Sequence, residues 1–102
     1  MCARSIAWGA LLIAAAASSA VGQEPGDPQS GAQLAAANCG QCHGAVDVLG
    51  GAPAFASIAA KPSMTEDYLS VFLGSPHATM PNIVFGGADR RDLIAYIMSL
   101  RQ

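Results

Sequence analysis

The 102-residue sequence predicts an all-α domain, and three observations carry that expectation. Apolar side chains recur at helical spacing in two separate stretches, and a third stretch is rich in alanine with no breaker inside it. Nowhere do apolar and polar residues alternate as they would in a half-buried strand. The segments between the helical stretches are full of Gly, Ala and Pro, which reads as loop.

The N-terminal segment stands apart from this pattern. Arg4 is the only charge before Glu24, and "IAWGALLIAAAA" from Ile6 to Ala17 is a 12-residue apolar run followed by the small-residue stretch "SSAVGQ". That order describes a secretory signal peptide over residues 1–22, cleaved after Gly22 or, alternatively, after Ala20. An uncleaved anchor is the competing reading, but the run is shorter than the ~20 residues a spanning helix needs. Cys2 and Trp8 would leave with the peptide.

Residues 23–30, "QEPGDPQS", read as a flexible lead-in. A first helix is expected from about Pro28 to Asn38, because "GAQLAAAN" lacks any helix breaker after Gly31. Residues 44–62 show no sustained period and read as a loop with one short turn. "PSMTEDYLSVFLGSP" predicts a second helix, with Ser63 and Glu66 as a capping box, Glu66 and Asp67 in the first turn, and Gly74 ending it before Pro76. Its apolar face is Tyr68, Leu69, Phe72 and Leu73. Residues 74–87 form another loop. The last helix spans about Ala88 to Arg101, with Leu93, Ile94, Ile97 and Leu100 inward and Arg101 at the dipole's negative end.

Beyond Gly22, four basic residues (Lys61, Arg90, Arg91, Arg101) face seven acidic ones, which leaves a net charge near −3. That balance argues against nucleic acid and anionic membrane surfaces as partners. A chain of about 80 residues rarely builds enough core alone, and this one is short of large apolar groups. Another group is expected to fill the middle.

The stretch "CGQCH", Cys39 to His43, indicates what that group is. A thioredoxin-like dithiol would follow a strand within a βαβ unit, and no strand is expected here. A structural zinc site needs four ligands, and beyond Cys39, Cys42 and His43 the mature chain offers only His77. A plain Cys39–Cys42 disulfide leaves the histidine without a role. C-x-x-C-H is the attachment signature of c-type haem. At a helix end, the three-residue and four-residue spacings project both thiols and the imidazole to one side. The thiols would add to the porphyrin's vinyl groups, and His43 would bind the iron through one ring nitrogen while donating the other N–H to a carbonyl.

Met80, in "ATMPN", lies 37 residues after His43 in a loop of small and polar residues, with Pro81 beside it. A thioether on the iron's second face favours the ferrous state, so Met80 is the expected sixth ligand. His77 is the competitor and reads as solvent-facing beside Pro76. Met64 and Met98 read as core filler on helices.

These residues together resemble the small bacterial monohaem class I cytochromes c. "CGQCH", "PHATMPN" at its distance and "DLIAYIMSL" at the end carry the resemblance, which covers Gly31 to Arg101. It implies a cytochrome c-like all-α fold, three main helices wrapped around one covalent haem, as a domain over residues 31–102. By the same resemblance, Gly31 lets the first helix cross tightly against the last, opposite Tyr96. Pro53, in "GGAPAF", would supply the carbonyl for the haem histidine's N–H. Ala35 departs from the bulky aromatic the family often has there.

The function implied is one-electron transfer in the periplasm, without catalysis of its own. No carboxylate pair, activated nucleophile or phosphate loop supports an enzyme. The haem edge would be rimmed by Gly40, Gln41, Ala45, Ala52, Ala78 and Asn82, which are small and uncharged. Redox partners, a donor dehydrogenase or an acceptor oxidase or reductase, would then dock with little salt dependence. After signal cleavage no membrane anchor remains, and the protein would be a monomer or a complex subunit. Two other readings are a haem subunit docked permanently on a periplasmic dehydrogenase, oxidising sulfite or an alcohol for example, and a ligand-binding haem protein with an open coordination site.

Overall fold

The computed structural model describes residues 24–47 and 51–102, together with residues 9, 12, 13 and 15. Apart from those four, the expected signal peptide and its cleavage site lie outside the described residues. Among the described residues there are four α-helices and no strand: α1 Pro28–Asn38, α2 Phe55–Ala60, α3 Glu66–Leu73 and α4 Gly87–Ser99.

Helix α1 starts where its cap is best. The Asp27 carboxylate accepts from Gln29 N at 3.0 Å and from Ser30 Oγ at 2.7 Å, and Pro28 opens the first turn without an N–H to satisfy. The Ser30 and Gln29 hydrogen bonds hold the Asp27 carboxyl below its ordinary pKa. The stretch read as a flexible lead-in is therefore docked in its second half. Asp27 N also donates to Asp92 Oδ1 at 2.8 Å, and a Cβ on Gly26 would meet the Arg91 carbonyl of α4.

Helices α1 and α4 cross at Gly31. A Cβ there would run into the Asp92 carbonyl and come within 2.8 Å of Tyr96 Cβ, so only glycine permits this approach. Ala35, one turn on, is buried at the same contact. A small residue where an aromatic is common leaves the two helices packed closely.

Three elements differ from the expectation. Residues 55–60 form a helix rather than one short turn; its donors are met from a distance by Asp47, which accepts from Ala54 N and Ser57 Oγ. Helix α3 begins two residues later than a Ser63 cap would put it. Thr65 is the N-cap and accepts from Tyr68 N at 3.1 Å, which leaves Met64 in the preceding turn instead of on a helix. Helix α4 ends at Ser99, so Arg101 lies beyond its last turn. Arg101 reaches back instead and donates to the carbonyls of Ala59 (3.0 Å), Lys61 (2.8 Å) and Met64 (2.9 Å), tying the C-terminus to the α2–α3 connection.

The core joins Ala59, Met64, Leu69, Ile94 and Ile97, with Leu73, Tyr96, Met98 and Leu100 against it. Tyr68, expected inward, is half exposed. Arg90 and Arg91 are both half-buried on α4.

Candidate functional site

The turn after α1 carries the cysteine–histidine motif. Cys39 N and Gly40 N both donate to Ala35 O, and His43 N closes back on Cys39 O at 2.8 Å, so the chain keeps a helical curl through the motif. Cys39, Cys42 and His43 consequently line one cleft. Both cysteines are free thiols, and burial pushes the Cys39 thiol up. A reactive dithiol needs the opposite shift. Among the described residues no three His, Cys, Asp or Glu side chains gather as a metal site.

His43 is held on two sides. Its Nδ1 lies 2.6 Å from Pro53 O. A carbonyl has no proton to give, so Nδ1 donates and Nε2 keeps its lone pair. The Phe55 ring stacks on the imidazole at a centroid distance of 4.8 Å and 14° between planes. Tyr96 in turn packs edge-on against Phe55 at 6.0 Å, linking the imidazole to the α1–α4 crossing.

The opposite part of the sequence reaches the same cleft. Met80 is half-buried in its wall, and the residue before it, Thr79, has φ 70°. A β-branched residue in the left-handed region is strained, and such strain gathers where structure serves a site. His77 also lines the cleft. It is half-buried rather than solvent-facing, because its ring lies against Phe72 with centroids 3.5 Å apart. Buried Met64 contributes to the wall beside the core.

The cleft has a volume of about 770 Å³, within the ~300–1,000 Å³ typical of cofactor sites. Its walls are mainly apolar, with Phe55, Ile58, Leu69, Phe72, Phe85 and Ile97 among them. Of the expected rim, Gln41, Ala52, Ala78 and Asn82 line it; Gly40 and Ala45 are exposed outside its wall. Lys61 sits in the lining and brings a charge that the sequence did not place there.

The family described as cytochrome C oxidase, cbb3-type, subunit III matches residues 26–97. Cytochrome c-552 of Bradyrhizobium diazoefficiens is 36% identical over 97 residues, which cover 91% of this chain and 93% of that protein. This chain belongs to the cytochrome c family. No solved structure matches it. As a cytochrome c it binds haem c covalently and serves electron transfer. The cleft fits that group: two free thiols and an imidazole with its Nε2 lone pair available share one wall, and the remaining walls are apolar and aromatic.

Sequence reasoning missed Phe55, Phe85 and Asp47, and it read Phe72 only as part of a helix's apolar face. Phe55 and Phe85 were aromatics standing in Gly-rich loops, which is a usable signal for a wall facing a bound group. Asp47 gave none, since its partners lie seven and ten residues away.

Proposed function

We propose that this cytochrome c is a periplasmic one-electron carrier. A single haem would be held through thioethers at Cys39 and Cys42, with His43 and Met80 as the residues that would ligate its iron. The convergence of Cys39, Cys42, His43 and Met80 on one apolar cleft supports this reading most directly. The bound haem supplies a metal centre that gains and loses one electron.

The protein's part is to keep its ligands still and water out. The Pro53 carbonyl keeps the Nδ1 proton on His43, so Nε2 stays the donor. Phe55 stops the imidazole from turning. The strained Thr79 backbone and Pro81 bracket Met80, so its thioether is pre-positioned on the cleft. Side chains that keep one geometry in both oxidation states make electron exchange fast. The carrier reading assigns the protein no activity of its own.

Partners meet an edge with little charge. Val71 and Val84, next in sequence to the cleft-lining Phe72 and Phe85, are 70% and 87% exposed. Docking through such residues is weak and only slightly sensitive to salt. No helix among the described residues is long and apolar enough to cross a membrane.

Carbon monoxide tests the closed coordination. The ferrous wild type binds none on mixing, whereas Met80→Ala binds it readily. A wild type that takes up carbon monoxide as fast as the variant overturns the carrier reading in favour of an open site.

A further inference from the structure

We propose that Asp47 sets the donor strength of His43, and so the reduction potential of the bound haem, through the Pro53–Ala54 peptide unit. This rests on His43 being the iron ligand. One peptide unit carries two hydrogen bonds. Its carbonyl, from Pro53, accepts from His43 Nδ1 at 2.6 Å, and its N–H, from Ala54, donates to Asp47 Oδ1 at 2.6 Å. Carbonyl and N–H are conjugated across the peptide bond. A carboxylate on the N–H therefore pushes electron density onto the carbonyl oxygen, and linked hydrogen bonds strengthen one another by roughly 10–30% each.

The direction follows. A more negative Pro53 oxygen draws harder on the Nδ1 proton, and Nε2 becomes a better donor. A better donor favours the oxidised iron and lowers the potential. Ala54, in the middle of the relay, is only 3% exposed, so water does not compete for its N–H. The carboxylate's other oxygen accepts from Ser57 Oγ at 2.9 Å. That bond orients Asp47 and also draws off part of its charge. Asp47 acts through other groups, so it is a positioning residue with an electronic effect.

Opposite signs distinguish this relay from simple support of the loop. Asp47→Asn keeps an oxygen for Ala54 N–H but removes the charge. Ser57→Ala keeps the charge and removes the bond that competes for it. In haem-loaded protein, Asp47→Asn raises the reduction potential, moving the reduced-to-oxidised ratio roughly two- to fivefold toward reduced. Ser57→Ala lowers the potential. The His43 Nδ1 proton resonance moves in opposite directions in the two variants, showing a weaker bond to Pro53 in the first and a stronger one in the second. The proposal is overturned if both potentials shift the same way, as a loosened loop would cause, or if neither shifts. Should Asp47→Asn fail to load haem, the sign of the Ser57→Ala shift decides alone. A wild type whose His43 ring protons are untouched by the iron overturns the ligand assignment, and the relay with it.

Discussion

Thr79, the residue before Met80, carries backbone strain. Its φ of 70° puts a β-branched side chain in the left-handed region, where about 1–3 kcal/mol of strain is stored. Asparagine tolerates that conformation far better. Thr79→Asn is expected to raise stability by about 1 kcal/mol, read from the denaturant midpoint of the haem-loaded protein, and to leave the iron spectrum unchanged. At the same scale, the shared placement of Cys39, Cys42 and His43 on one cleft was legible because it is local: the spacing alone brings them to one side. Pro53 needed the resemblance to be singled out, since the link between His43 and Pro53 spans ten residues of irregular chain. His77 was misread because its apolar support, Phe72, becomes a neighbour only once α3 and the following loop are folded.

Among the elements, α1 and α4 were legible almost to the residue. Their composition and apolar spacing agree with their tertiary roles. Helix α2 was not, because its six residues carry no cap of their own and depend on Asp47 from outside. The start of α3 was misplaced because two hydroxyls, Ser63 and Thr65, compete for the cap, and sequence spacing alone does not choose between them. The α1–α4 crossing gives a direct test. Gly31→Ala forces a methyl group against the Asp92 carbonyl and Tyr96, and is expected to cost about 1–3 kcal/mol in stability. The α1 cap gives a test with a sign. The folded-state pKa of Asp27 lies below its ordinary 3.8, so the ionised cap stabilises the fold above that pH. Its contribution is lost as pH falls through the lower folded value. The gap in thermal midpoint between wild type and Asp27→Ala is therefore constant near neutral pH and closes in acid. A gap that persists unchanged at the acid end would contradict the charged-cap account.

At the scale of the molecule, the buried apolar set among the described residues is thin: three of its eight members are alanine, and Leu93 is the largest side chain there fully out of water. The half-buried Phe55 and Ile58 pack against that core with one side and line a cleft of about 770 Å³ with the other, and Phe72 lines the same cleft. Without the group that fills it, such a small chain lacks the buried area to hold α2 and α3 in place. The Cys39→Ala, Cys42→Ala double variant, prepared free of haem, is expected to show much reduced helicity and no cooperative thermal transition by circular dichroism. Native helicity with a sharp transition would show that the four helices fold without the cofactor.

The central claim is that His43 and Met80 would both serve as ligands to the haem iron. The most direct measurement is the near-infrared absorption of the oxidised, haem-loaded protein, where methionine ligation gives a weak charge-transfer band. The expected result is a band in the wild type that is lost in Met80→Ala and kept in Met64→Leu and His77→Ala. A wild type without the band, or a band that survives Met80→Ala, would contradict the assignment of Met80.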